Sequence, residues 1–306
     1  MAASPSGMIQ ATLNYFLDPK DGGTIDHYEG SVGEKRRKHA PFVVDIKDIR
    51  GREKDFTLDS HGFQLVKKEF TEQTFDDEDR IREQYYPEVA DLVKRLTGAT
   101  KVVPGQHVVR RQSWISAFEE EKNLPNDARS VGPSNARWVH CDLTFEGARE
   151  RVKKLCPEYA DKLHKYRWAT INVWKPFDHP VTRDGLCFAD PSSIRDDELR
   201  TINLYLPSRR DSAQQDSDKD GADGKHWNDV VQSWQCAPPA TRDQHKWYYA
   251  SEMRPDEVLL LKISDSKKGV ADKSLHTSFT SEYDHGPERH SIEVRCRVIW
   301  EDQSSD

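Results

Sequence analysis

Two stretches limit the fold of this chain more than any others. In "YRWATINVWKP" (166–176) side-chain character alternates with a period of two. Trp168, Thr170, Asn172 and Trp174 fall on one face, and Ala169, Ile171 and Val173 on the other. "ERHSIEVRCRVIW" (288–300) repeats the pattern, with Ile292, Val294, Cys296, Val298 and Trp300 as one apolar face and Arg289, Ser291, Glu293 and Arg295 opposite. A period of two held over this length belongs to strands, not helices. An apolar sheet face must be covered by a second layer, so the chain needs at least two packed layers.

Further strands are expected at "FVVDIKDI" (42–49), "FTLDSHGFQLV" (56–66), "KVVPGQHVVRRQ" (101–112), "HKWYYAS", "EVLLLKIS" and "LHTSF". The segment 75–98 reads as a helix. Asp76 or Asp77 can cap it, Ile81, Tyr85, Val89, Leu92, Val93 and Leu96 recur at helical spacing, and Gly98 stops it. Pro87 should kink or break it. A second helix should start at Thr144. The expected class is therefore a β-rich α+β protein, a sandwich or cupin-like jelly roll with flanking helices. Residues 1–306 are expected to form a single domain, with an N-terminal arm over the core (1–40) and a polar insertion loop (207–228).

Composition removes several classes of function. Hydrophobic residues make up 35% of the chain, the mean hydropathy is -0.88, and no apolar run reaches membrane-spanning length, so no membrane partner is expected. The start, "MAASPSGMIQ", lacks the basic and apolar regions of a secretory leader. A net charge of -7 argues against a nucleic-acid partner; the one basic cluster, "EKRRKH" (34–39), reads as a solvated loop. Five cysteines, unpaired by any CxxC spacing, in a chain with no N-x-S/T acceptor, suggest free thiols and a cytoplasmic location. "DSDKDGADGKHW" (216–227) imitates a calcium loop, but Trp227 stands where the bidentate carboxylate is needed. A small molecule is the expected partner, and homo-oligomerisation is left open.

"RWVHCDLTFEG" (137–147) places His140 and Asp142 two positions apart. On one strand both would point the same way. With a distant histidine they would form a two-His-one-carboxylate set that leaves positions free for a co-substrate and dioxygen. His276, opening "HTSF", is the best third ligand. Arg289-x-Ser291 on the terminal strand offers a guanidinium fork and a hydroxyl for the far carboxylate of a 2-oxo acid, with Arg295 in reserve. Each piece also has a plainer reading. A strand histidine can be a core residue, Asp142 can cap the helix at Thr144, and Glu293 can pair with Arg295. "RQS" (111–113) and "RDS" (210–212) repeat the Arg-x-Ser pattern.

Longer strings occur in a fixed order: "IRGREKDFTLDSHGFQLVKKE", "YYPEVADLVKRLTGA", "VHCDLTFEGAR", "INVWKP", "HKWYYASEMRPDEVLLLKISDS" and "RHSIEVR". Together they resemble the fungal and bacterial hydroxylase/desaturase family, which includes gibberellin desaturase and the cephamycin methoxylation protein. The likeness runs from about residue 10 to about residue 300. It implies a non-haem Fe(II), 2-oxoglutarate-dependent oxygenase on a double-stranded β-helix, using O2 and releasing succinate and CO2. It places the iron ligands on His140, Asp142 and His276, and the co-substrate anchor on Arg289, Ser291 and Arg295. The implied reaction is hydroxylation, desaturation or cyclisation of a small specialised metabolite. Asn172, Trp174, Tyr248, Tyr249 and Phe279 are expected to line its pocket. Two other readings use the same residues: a metal-dependent hydrolase or isomerase with Glu293 as base, and a non-catalytic partner protein that binds a small ligand.

Overall fold

The computed structural model describes residues 7–207 and 227–304. Fourteen strands carry the fold: Met8–Tyr15 (β1), Asp26–Tyr28 (β2), Ala40–Asp48 (β3), Phe63–Lys67 (β4), Lys101–Arg110 (β5), His140–Cys141 (β6), Arg167–Pro176 (β7), Gly185–Ala189 (β8), Leu199–Pro207 (β9), Trp227–Cys236 (β10), Trp247–Tyr249 (β11), Glu257–Asp265 (β12), His276–Phe279 (β13) and Ser291–Trp300 (β14). They build a nine-stranded sheet, in the order β1-β3-β11-β8-β13-β6-β10-β9-β2, and a five-stranded sheet, β4-β12-β7-β14-β5. The five-stranded sheet is antiparallel throughout. The sheets face each other as a jelly roll.

The two alternating stretches explain the layering. β7 and β14 are neighbours at the middle of the five-stranded sheet. Ala169, Ile171, Val173, Ile292, Val294, Cys296, Val298 and Trp300 join one apolar cluster on its outer face. Trp168 and Trp174 join another, between the sheets. The outer cluster is closed by Val89, Leu92 and Val93 of the helix Tyr86–Thr97. That helix ends at Gly98, whose left-handed φ of 69° suits a residue without Cβ. Asp77 caps the preceding turn through the amides of Asp79 and Arg80. The break expected at Pro87 is present: the segment runs as a turn at Glu78–Arg80, a π-helical turn at Ile81–Tyr85 and the helix Tyr86–Thr97, with Pro87 at the start of the last piece.

Several expectations need correction. The segment 1–40 is more than an arm over the core: β1 pairs along its whole length with β3, and Ile9, Ala11, Leu13 and Tyr15 are buried. The strand expected over 56–66 begins only at Phe63: Leu58–His61 is a helical turn that Gly62 closes before β4. The basic cluster is only partly solvated, since Lys35 is buried against Glu121 at 2.9 Å. Nearly all of the 207–228 insertion, and of the calcium-like loop within it, lies outside the described residues. All five cysteines are free and buried. Among the described residues no helix is long and apolar enough to cross a membrane.

Candidate metal centre

His140 and His276 sit directly opposite each other on neighbouring strands β6 and β13 of the nine-stranded sheet. β6 is only two residues long, so Asp142 lies just beyond it rather than on a longer strand as expected. The helix cap that Asp142 could have supplied is instead made by Thr144, whose Oγ1 accepts from the amide of Gly147 at 3.0 Å. Asp142 is thereby left to turn inward. Its Oδ1 stands 3.5 Å from Nε2 of His140 and 3.7 Å from Nε2 of His276. One ligand atom from each of the three lies within 4.8 Å of the others.

The groups behind the triad fix which atoms face inward. Nδ1 of His140 lies 2.8 Å from the carbonyl of Trp138, and Nδ1 of His276 lies 3.0 Å from that of Ser274. Each Nδ1–H donates to its carbonyl, so each Nε2 presents a lone pair to the shared space. Oδ2 of Asp142 accepts from Asn172 Nδ2 at 2.7 Å and from Arg295 Nε at 3.1 Å. Both donors come from the opposite sheet, where Asn172 on β7 and Arg295 on β14 are cross-strand partners. This leaves Oδ1 as the oxygen that faces the two imidazoles. Support of this kind, behind each ligand, is what orients a metal site.

Electrostatics agree with the geometry. Burial alone would raise the carboxyl pKa of Asp142, but Arg295 and the two histidines hold it well below the usual range. Burial, together with His140, pushes His276 down from its ordinary value against the pull of Asp142, which favours the neutral imidazole a cation needs. Two imidazole nitrogens and one ionised carboxylate, gathered on one side of a cavity, fit a divalent iron with positions left open.

That cavity measures about 1620 Å³ and lies between the sheets. Asn172, Trp174 and Arg289 line it beside the triad, as do Glu293 and Arg295. Arg289 is buried; Nη1 and Nη2 donate to the carbonyl of Asp184 and to Oδ1 of Asn135, each at 2.5 Å. Its guanidinium stands 5.4 Å from the Trp174 ring. Burial pushes its pKa down to about 9. Ser291 is fully buried with its hydroxyl unpartnered, but it is not among the lining residues. Arg295 also lines the cavity, and Asp142 and Glu293 engage its Nε at 3.1 and 3.5 Å. The same contact removes Glu293 as a free base.

Tyr249 and Phe279 are core residues, the half-buried Tyr248 packs against the same core, and none of the three lines the cavity. The rings of Tyr249 and Phe279 pack edge to face at 5.7 Å, and Tyr248 lies against Phe56 and Phe63. All three sit on short strands where alternation gives no sign of which face is open. Trp138 and Arg297 do line the cavity, although no sequence pattern singled them out. Trp138 could have been found by its position two residues before His140, and Arg297 by continuing the polar face of the terminal strand past Arg295.

A family model described as "Oxidoreductase/YMDC permease-like domain" matches residues 13–299. Hydroxylase/desaturase CTB9 of Cercospora beticola is 42% identical to this chain, over 96% of it and 87% of the relative. Hydroxylase/desaturase efuI of Hormonema carpetanum is 40% identical, over 100% and 99%. The solved iron and alpha-ketoglutarate-dependent endoperoxidase NvfI, as a single-residue variant, superposes with a TM-score of 0.74 at 27% identity, covering 98% of this chain and 99% of that one. Near-complete coverage in sequence and in fold converges on one assignment: the chain belongs to the hydroxylase/desaturase family and is an Fe(II)/2-oxoglutarate-dependent dioxygenase.

Proposed function

We propose that His140, Asp142 and His276 hold the iron, and that Arg289 receives the distal carboxylate of 2-oxoglutarate, with Ser291 behind it at the start of β14. The observation that carries this reading is the direction of the ligand atoms. Backbone carbonyls behind the two imidazoles, and Asn172 and Arg295 behind the carboxylate, turn all three toward one side of the cavity. Iron(II), 2-oxoglutarate and O2 together supply the power to oxidise an unactivated C–H bond. The chain's own residues orient and enclose. Trp174 holds the guanidinium of Arg289 in place, while Leu143, Leu186, Leu204 and Val231 give the cavity apolar wall that keeps water from the reacting carbon. The substrate is a small specialised metabolite, and residues 1–306 act as one oxygenase unit.

The test needs no substrate. Purified protein is mixed with Fe(II) and 2-oxoglutarate without oxygen, and the visible charge-transfer band of a chelated 2-oxo acid is recorded. The band should vanish in His140→Ala and His276→Ala. In Arg289→Ala it should require about ten- to hundred-fold more 2-oxoglutarate, the cost of a lost charge-assisted hydrogen bond. An unaltered band in either histidine variant would remove that residue from the ligand set.

A further inference from the structure

Beyond the triad, on the side away from Arg289, the cavity holds a second guanidinium. Arg297 on β14 and Thr170 on β7 are cross-strand partners, each two residues further along its strand than the Arg295–Asn172 pair that supports Asp142. At the usual rise this places them about 7 Å beyond that pair. Both line the cavity and both are 1% exposed. Nε of Arg297 and Oγ1 of Thr170 have no hydrogen-bond partner. Arg297 Nη1 donates to the carbonyl of Arg295 at 2.9 Å. No carboxylate among the described residues forms an ion pair with Arg297.

The backbone around this pair is shaped to admit it. The register of β14 with β5 slips between Val294 and Cys296, and that of β12 with β7 slips between Lys262 and Ser264, opposite Thr170. Bulges of this kind re-aim side chains near active sites. A Cβ at Gly105 would collide with Nη1 of Arg297, so the glycine makes room for the guanidinium. Beyond the pair, Trp168 and Ile299 belong to the apolar cluster between the sheets. A buried cation without a counter-ion and a buried hydroxyl without a partner, on residues that line one cavity, are costly unless something completes them. A carboxylate does so, with oxygens for both donors.

Given the seat proposed above for 2-oxoglutarate at Arg289, we propose that Arg297 and Thr170 bind a carboxylate of the substrate, so that this enzyme acts on an organic acid held by its acidic end while the iron addresses a carbon elsewhere in the molecule. The inference rests on the functional reading, and its test separates the two. Full-length protein loaded with Fe(II) and 2-oxoglutarate, without oxygen, is titrated with 2-naphthoate and with 2-naphthamide, followed by fluorescence anisotropy. 2-Oxoglutarate binding is measured in parallel by equilibrium dialysis. The acid should bind and the amide should bind at least tenfold more weakly. Thr170→Val, close to isosteric, and Arg297→Lys, which keeps the charge, should each weaken the acid about ten- to hundred-fold and leave 2-oxoglutarate unchanged. Equal binding of acid and amide, or no binding of either, overturns the proposal. If the variants weaken 2-oxoglutarate instead, the seat belongs to the co-substrate, and the assignment of Arg289 fails as well. If wild type binds no 2-oxoglutarate, the proposed co-substrate seat fails first.

Discussion

Asp142 shows how little of a ligand is its own doing. Its Oδ1 can face both imidazoles because Asn172 and Arg295 occupy Oδ2. Arg295→Gln should therefore weaken Fe(II) binding about ten- to hundred-fold without unfolding the chain, as measured by metal titration beside circular dichroism. Unchanged affinity would mean that Asp142 needs no such hold. Lys175, two residues beyond Val173 on β7, offers a test of another kind. It is buried with its ammonium 5.3 Å from the Phe75 ring, and burial lowers its pKa to about 8. Below about pH 8 both folded and unfolded chains carry this proton, and the full cost of burying the charge is felt. Between that value and the ordinary 10.5 the unfolded chain retains a proton the folded chain has released, so stability gained from this residue rises with pH. Lys175→Met should therefore stabilise the protein at pH 7, by at most about 3 kcal/mol. The advantage should shrink as pH approaches 10.5 in paired urea titrations; a pH-independent difference would show that the ammonium is effectively solvated.

At the scale of elements, what was legible in the sequence was whatever repeated. β7 and β14 announced both of their faces, because each is long, central and covered by a different layer on each side. The helix ending at Gly98 was legible from its spacing and caps, and the triad residues from type, order and resemblance. What could not be read was set by partners distant in the chain. β1 hides in a polar, turn-rich neighbourhood and becomes a strand by pairing with β3. β6 is too short to have a period, so the position of Asp142 off its end could not be foreseen. Tyr248, Tyr249 and Phe279 carry the right chemistry for a pocket, but neighbouring aromatics fill the space around them. The division of labour between layers is testable. Leu92→Ala, in the cluster on the outer face, should cost about 2–5 kcal/mol in urea unfolding. Iron affinity should stay as it was, since the triad lies across the sheet from that cluster. A parallel loss of metal binding would mean that the outer layer tunes the site.

For the molecule as a whole, the cavity wall is made by two sheets that meet through Asp142, Asn172 and Arg295. The histidines belong to the nine-stranded sheet, while the donors holding Asp142 belong to the five-stranded one. Binding of Fe(II) and 2-oxoglutarate without oxygen should raise the unfolding temperature, by the equivalent of about 2.7 kcal/mol at a hundredfold excess over Kd. Addition of a chelator should reverse the gain. Hydrogen exchange should report the protection first at His140–Cys141 and His276–Phe279; protection confined to other segments would place the ion elsewhere. The nine-stranded sheet also carries a seam at the site itself. β6 is the sole link between the strands ending at β13 and those beginning at β10 in the described sheet order, and it consists of His140 and Cys141. A molecule whose sheet parts at that seam also parts His140 from His276, so damage to the fold would take apart the proposed iron site before any other part of the cavity.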